Sequence, residues 1–173
     1  MCIERLLSVL LLGCAVLVQP AFANDQVPSS CPVTRPSEPA FEPPAPYKEK
    51  LTGQFWLGTS ALWTKLADDG IWRGIVSPSG TRNKFFWWRE GWQSDTDLRA
   101  NDAGLIITAR RIDGDAPLVR APRVTNAKLA SGWAMLTMLE LPTSGCWEVT
   151  GNYRSDYLSM VVWVPDRPLD KTR

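Results

Sequence analysis

Two neighbouring runs decide the fold class of this chain: Pro142-Thr143-Ser144-Gly145-Cys146-Trp147-Glu148-Val149-Thr150-Gly151 and Leu158-Ser159-Met160-Val161-Val162-Trp163-Val164. Both are rich in β-branched and aromatic residues, and turn-forming residues bound them, which is typical of paired strands. Because side chains alternate along a strand, Trp147 and Val149 share the face expected to meet the core, and Cys146 lies on the opposite face. The expected core face of the second run carries Leu158, Met160, Val162 and Val164. The runs predict two antiparallel strands that close an all-β sandwich.

The N-terminus has the features of an export signal. Arg5 supplies a positive charge, residues 6–18 form an apolar run, and Ala21-Phe22-Ala23 fits a cleavage site. The run is shorter than the ~20 residues that a membrane span needs. We therefore expect a signal peptide over residues 1–23 and a secreted or periplasmic protein with no transmembrane segment in its mature chain.

A lipid anchor is the alternative to free release. The word Leu11-Leu12-Gly13-Cys14 resembles a bacterial lipobox, in which Cys14 would be lipidated and would tie the protein to the cell envelope. The residues after Cys14 stay apolar, whereas lipoprotein tails usually turn polar at once. This difference favours cleavage after Ala23.

Two cysteines remain once the signal is removed, Cys31 and Cys146. In an oxidising compartment such a pair predicts one disulfide, and two separate buried thiols are the alternative. The bond would span 146 − 31 = 115 positions. The chain-entropy model assigns a loop of that size on the order of 4–5 kcal/mol, as an upper value.

Charge and composition narrow the possible functions. The chain has 19 basic and 18 acidic residues, a net charge of +1, and no histidine. So small a net charge gives no field that would attract nucleic acid or an anionic membrane. The absence of histidine removes the commonest general base and metal ligand. We expect no cofactor, no metal and no enzyme activity.

The chain divides into a proline-rich arm over residues 24–50, a sandwich over 51–165 and a short tail over 166–173. Seven prolines interrupt regular structure in the arm. The run Trp133–Leu141 would also suit a short helix, but its bounding Gly132 and Pro142 favour a strand. The predicted strands are Gln54–Leu57, Ala61–Lys65, Ile71–Val76, Lys84–Arg89, Leu105–Ile112, Trp133–Leu141, Cys146–Tyr153 and Leu158–Val164.

The chain resembles a group of small exported bacterial proteins of uncharacterised function, and Gly145-Cys146-Trp147-Glu148-Val149-Thr150-Gly151 is the specific part of the resemblance. This resemblance implies a secreted, immunoglobulin-like domain and brings no reaction and no catalytic residue. The weaker shared words are Cys31-Pro32-Val33-Thr34, Leu62-Trp63, Gly70-Ile71-Trp72, Lys84-Phe85-Phe86-Trp87-Trp88-Arg89, Arg110-Arg111-Ile112-Asp113, Leu141-Pro142-Thr143-Ser144 and the Leu158–Val164 strand.

Nine tryptophans are more than one core of this size is expected to hold, so some should lie at the surface. Strand alternation sends Trp87 and Arg89 to one face and Trp88 to the other, and Trp92 follows in a loop. We predict an exposed ligand-binding surface formed by Trp87, Trp88, Arg89 and Trp92. The alternative is that Trp87 and Trp88 fill the two sides of a sandwich strand.

A second aromatic group precedes this one along the chain. Trp63 and Trp72 flank the turn Asp68-Asp69-Gly70, so we expect them to be cross-strand partners of a hairpin, with Trp56 nearby.

Acidic residues give weaker indications. Asp113-Gly114-Asp115 offers too few oxygen ligands for calcium and predicts a turn. A hydrolase would need two opposed carboxylates, and spacing singles out no pair among Glu90, Asp97, Asp113, Glu140 and Glu148. We expect a non-catalytic module that binds an unknown protein, peptide or glycan. A structural domain of an envelope assembly is the alternative, and a carboxylate hydrolase is the least favoured.

Overall fold

The computed structural model describes residues 26–47, 49–91, 104–129 and 132–166, and it contains strands and no helix in these ranges. The strands are β1 (Gln54–Gly58), β2 (Leu62–Ala67), β3 (Ile75–Ser77), β4 (Gly80–Arg89), β5 (Leu105–Arg111), β6 (Val119–Arg120), β7 (Thr125–Leu129), β8 (Gly132–Leu141), β9 (Gly145–Tyr153) and β10 (Asp156–Val164).

The strands form two antiparallel sheets. Sheet A has the order β1-β2-β4-β8-β7, with β3 paired to one end of β4, and sheet B has the order β10-β9-β5-β6. The sheets pack face to face around one apolar core, so the predicted all-β sandwich is confirmed.

The core follows the alternation of the strands. Trp147 and Val149 of β9 are fully buried between the sheets, as are Met160 and Val162 of β10. Their neighbours along each strand point to the outer face of sheet B, where Cys146 lies. The predicted faces of both strands are therefore confirmed.

The ambiguous run Trp133–Leu141 is a strand, since β8 pairs with β4 on one side and with β7 on the other. Two short strands escaped prediction. β6 has only two residues, and β7 has the sequence Thr-Asn-Ala-Lys-Leu, in which the alternation rests on only two apolar residues, Ala127 and Leu129.

The predicted strand Ile71–Val76 is wrong over its first half. After the turn that ends at Gly70, the chain crosses to sheet B instead of continuing sheet A. The Trp72 amide donates to the Trp163 carbonyl at 2.7 Å, and the Trp163 amide donates to the Gly70 carbonyl at 2.9 Å. Ile71 thus forms an isolated parallel bridge with Trp163, and regular pairing resumes only at Ile75. This crossing covers part of the free edge of β10.

Cys31 and Cys146 form the predicted disulfide. The bond holds the arm, which we define as residues 26–47 and 49–50, on the outer face of sheet B. Beside it, the Thr34 amide donates to the Val161 carbonyl at 2.9 Å, and the Val161 amide donates to Thr34 Oγ1 at 2.8 Å. Val33 packs with the disulfide against Val161 and Trp163. The arm therefore covers a further part of the β10 edge.

The arm then passes to the outer face of sheet A. Arg35 Nη1 donates to the Asp68 carbonyl at 2.5 Å, where the arm passes the turn after β2. Further along, Tyr47 donates its hydroxyl proton to the Trp133 carbonyl at 3.2 Å. Phe41 and Tyr47 pack on Trp63 with ring centroids 6.4 and 5.8 Å away. One continuous segment thus contacts both outer faces of the sandwich.

Several predictions fall outside the described residues: the signal peptide, Cys14, Trp92 and the tail beyond residue 166. Within the described ranges, the structure has no helix that is long and apolar enough to cross a bilayer.

Candidate functional site

The predicted surface of Trp87, Trp88, Arg89 and Trp92 is buried wherever the structure describes it. The exposed fractions of Trp87, Trp88 and Arg89 are 0%, 2% and 7%, and Trp92 lies outside the described residues. The expectation that the first three form an exposed patch is therefore wrong. In physical terms, the two indoles fill opposite sides of β4, which was the alternative.

Each indole is covered by a different part of the molecule. Trp87 enters the core between the sheets, where its ring lies against the backbone of Gly151. Trp88 points to the outer face of sheet A, where Trp56 packs edge-on at 5.1 Å between ring centroids and Tyr47 of the arm lies at 6.3 Å. Because the arm is far from Trp88 in sequence, local alternation could not show that this face is covered.

The other predicted aromatic group is also divided. Trp63 pairs with Gly58 of β1 and Trp88 of β4, and it lies on the outer face of sheet A. Trp72 belongs to the core between the sheets, and its indole donates to the Thr81 carbonyl at 3.2 Å. The two are therefore not hairpin partners. Among the eight tryptophans that the structure describes, five are buried, three are half-buried and none is fully exposed.

The acidic turn is held by an ion pair. Arg111 Nε donates to Asp113 Oδ1 at 2.7 Å. Burial alone would raise the pKa of Asp113, but the Arg111 guanidinium and the Cys146 backbone amide hold it below its ordinary value. Glu148 pairs with Arg110 on the outer face of sheet B, and Glu140 accepts hydrogen bonds from Ser77 and Ser79. Asp113, Glu148 and Glu140 therefore each bond a different partner, and they do not form the opposed pair of carboxylates that a hydrolase would need.

Among the described residues, a gap in sheet A forms a concave feature that is lined by aromatic and basic side chains. Pairing between β2 and β4 ends at Thr64 and Trp87, and pairing between β3 and β4 begins only at Ile75 and Arg82. Residues Asn83, Lys84, Phe85 and Phe86 consequently pair with β8 alone. The resulting cavity, which we name the β2–β4 groove, has a volume of about 600 Å³.

The groove combines an apolar floor with a cationic rim. Its floor is formed by Leu66, Trp72, Phe85 and Met160, which also belong to the core between the sheets. The rim carries Lys65 on β2, Lys84 on β4 and Arg73 after the crossing. Neither Asp nor Glu is among the residues that line it, which are Thr52, Gly53, Gln54, Lys65, Leu66, Ala67, Ile71, Trp72, Arg73, Asn83, Lys84, Phe85, Phe86, Trp88 and Met160.

Lys65 contacts two aromatic side chains and the arm. Its ammonium lies 4.6 Å from the ring centroid of Trp56 and 5.4 Å from that of Trp88, and it forms an ion pair with Glu49 of the arm. Burial lowers the pKa of Lys65 below the ordinary lysine value. Neighbouring aromatic faces stabilise a cation that burial would otherwise destabilise.

The other two cations differ in how they are paired. Arg73 binds Asp69 through two hydrogen bonds of 2.8 and 2.5 Å. Lys84 is exposed and forms no ion pair with any other residue that the structure describes. Lys84 is therefore the rim charge most available to an anion.

In the part of the chain that the structure describes, no cluster of three or more acidic, cysteine or histidine side chains could hold a metal ion. The groove can bind through apolar contact, stacking and positive charge. It offers neither a nucleophile with a base beside it nor a pair of carboxylates.

No protein-family model, no curated protein and no solved structure matches this chain. The resemblance to small exported bacterial proteins consequently stays a prediction, and the groove has to be interpreted from its own chemistry.

Sequence reasoning missed Lys65, Lys84, Trp72 and Phe86 as a group. One pattern in the sequence could have indicated this group: a lysine lies beside aromatic residues in each of two predicted strands, at Trp63–Lys65 and at Lys84–Trp88. The gap itself could not be predicted from the sequence. The predicted fourth strand begins at Lys84, whereas β4 begins at Gly80, so the prediction does not include the pairing along its first residues.

Proposed function

We propose that this protein is an exported, non-catalytic interaction module that binds its ligand in the β2–β4 groove. The interruption of sheet A between Arg82 and Trp87 is the observation that carries this proposal, because it opens the sheet onto aromatic and aliphatic side chains. A concave, mostly apolar site with a few polar groups at its margin is the usual form of a ligand site, and about 600 Å³ is within the usual range of volumes.

Export to an oxidising compartment is part of the proposal. The Cys31–Cys146 disulfide supports it, since such bonds persist outside the cytoplasm and are rare within it. A cleaved signal over residues 1–23 is the form of export we favour, and lipidation at Cys14 is the alternative. The intact mass of the mature protein distinguishes the two.

We further propose that the sandwich is immunoglobulin-like. The orders β2-β4-β8-β7 and β5-β9-β10 support this assignment, because they correspond to the ABED and CFG sheets of that fold. The disulfide differs from the usual inter-sheet bond of antibody domains, since it joins the arm to the outer face of β9. Domains of this architecture often serve in recognition, although the fold alone does not define a function.

A structural role in an envelope assembly is the second candidate. One observation favours it. The arm covers aromatic side chains on the outer face of sheet A, so these indoles are buried and stabilise the fold instead of being open to a ligand. A carboxylate-dependent hydrolase is not supported by the groove, because no carboxylate lines it.

Ligand arrays with matched lysine variants test the proposal. We expect a peptide or glycan that binds the wild-type protein to lose up to about fivefold in affinity with Lys84→Ala, because an exposed ion pair contributes up to ~1 kcal/mol. Lys128→Ala on the exposed side of β7 is the control, and it should bind as the wild type does. Equal affinities of the Lys84→Ala and Lys128→Ala variants for every ligand would favour the structural role. So would the absence of any ligand together with the isolation of a stable complex from the cell envelope.

A further inference from the structure

We propose that the ligand of the groove is an extended acidic peptide that adds to sheet A as a strand between β2 and β4. This inference rests on the proposed function and names the ligand class of the same groove.

The backbone of β4 provides the first argument. The Phe86 carbonyl points into the gap, because it accepts a hydrogen bond from Thr64 Oγ1 at 2.7 Å. Successive residues of a strand direct their backbone groups to opposite neighbours, so Lys84 shares the side of Phe86, and β8 occupies the other side. The amide and carbonyl of Lys84 thus form an open edge inside a sheet. An extended peptide satisfies such an edge by main-chain hydrogen bonds.

The length of the edge suits a short segment. The stretch of β4 without a partner on this side runs from Asn83 to Phe85, because Thr64 bonds the Phe86 carbonyl at its end, and at about 3.3 Å per residue it is roughly 10 Å long. Within it Lys84 alone directs its amide and carbonyl into the gap, since Asn83 and Phe85 face β8. The adjoining cavity has a volume of about 600 Å³, which is enough for a few side chains.

The side chains around the gap predict the sequence of the peptide. Leu66 and Phe85 point toward the core and form an apolar floor, whereas Lys65 and Lys84 lie on the outward side. A strand in the gap would alternate in the same way, with one set of side chains on the floor and the other beside the lysines. An alternation of apolar and acidic residues fits both surfaces.

Charge gives a further argument for acidic residues. Three cations and no carboxylate line the groove, and Lys84 has no ion-pair partner among the described residues. Glu49 of the arm already contributes a carboxylate to Lys65 from outside the groove. A ligand carboxylate would make the same kind of contact with Lys84.

Four probes test the inference by calorimetry on the full mature protein: a capped Val-Glu-Val-Glu-Val peptide, its Val-Lys-Val-Lys-Val counterpart, the acidic peptide N-methylated at its central residues, and an oligogalacturonate. We expect the acidic peptide to bind and the other two peptides to bind at least tenfold more weakly. Binding should shift the backbone amide resonances of Lys84 and Phe86. Lys84→Ala should weaken binding and Lys128→Ala should leave it unchanged.

The failures are distinguishable. Equal binding of the N-methylated peptide would overturn strand addition, and equal binding of the lysine peptide would overturn the charge argument. If only the oligogalacturonate binds and Lys84→Ala weakens it, the ligand class is wrong and the proposed function stands. If no probe and no array member binds in a way that depends on Lys84, both proposals are lost.

Discussion

The carboxylate of Glu49 in the arm forms an ion pair with Lys65 on β2, at the rim of the β2–β4 groove. The same lysine lies over the rings of Trp56 and Trp88. The arm and the groove are therefore linked at one cation. A ligand that reaches Lys65 has to share it with Glu49 or displace this carboxylate.

Removal of the internal carboxylate should strengthen binding. With Glu49→Gln, we expect the affinity for the acidic peptide to rise up to about fivefold, since a partly exposed ion pair contributes up to ~1 kcal/mol. Calorimetry measures the change. Glu42→Gln, also in the arm, is the control and should have no effect. Unchanged or weaker binding with Glu49→Gln would show that Lys65 takes no part.

Loss of the disulfide should destabilise the fold without removing the sandwich core. The double variant Cys31→Ser, Cys146→Ser should lose up to about 4–5 kcal/mol of the free energy of unfolding, because the unfolded chain regains its loop entropy over 115 positions. Urea unfolding measures this quantity. The reduced wild-type protein should match the variant. A loss below ~1 kcal/mol would mean that the arm detaches at almost no cost.

A methyl group at Gly151 should disturb the core. A Cβ atom at this position would lie 2.6 Å from the ring of Trp87, which is fully buried and cannot move aside. We expect Gly151→Ala to cost about 1–3 kcal/mol by overpacking. Gly114→Ala is the control, because its Cβ would meet only the end of the Arg111 side chain, at 3.3 Å. Similar stabilities of the two variants in urea would contradict the packing described here.

Tyr47 should shield the indoles on the outer face of sheet A. Its ring lies edge-on to Trp63 and close to Trp88. We expect Tyr47→Ala to red-shift the tryptophan emission and to increase quenching by acrylamide. Tyr47→Phe should keep the emission of the wild type and lose ~1 kcal/mol, the contribution of a typical hydrogen bond. Identical quenching of the alanine variant would mean that the arm does not cover these rings.

The stability of the protein should depend on Asp113 at acidic pH. Its pKa is lowered in the folded state, so the group stabilises the fold above its ordinary pKa near 4, and this contribution disappears as the pH falls through the folded value. At pH 7, Asp113→Asn should cost up to about 1 kcal/mol. The difference from the wild type should shrink below about pH 4 in urea unfolding. A constant difference down to pH 2 would contradict this assignment.

The sequence predicted what depends on local alternation. The strands around Trp147 and Met160 were assigned with their correct faces, because period-2 patterning and flanking turn residues act within each strand. The disulfide followed from cysteine count alone. Strands β6 and β7 were missed because two residues, and a run with only two apolar residues, carry too little local pattern, whereas their pairing partners are distant in sequence.

The covering of Trp88 and the opening of the β2–β4 groove could not be predicted in this way. Trp88 is covered in part by Tyr47, a residue of a segment with no strand of its own. The groove depends on where the β2–β4 ladder stops and on the crossing of the chain from Gly70 to the edge of β10, which carries Trp72 and Arg73 into its lining. The covering of Trp88 and the end of the β2–β4 ladder both depend on contacts between segments that are distant in sequence, and the residue pattern within each segment gives no sign of them.

The bond between Cys31 and Cys146 also orders events during synthesis. At a translation rate of 5–20 residues per second, Cys31 leaves the ribosome roughly 6 to 23 seconds before Cys146, which follows 115 positions later. Until then its thiol has no correct partner within the nascent chain. The bond can therefore form only after nearly the whole domain has emerged, and an earlier oxidation of Cys31 would join it to another thiol.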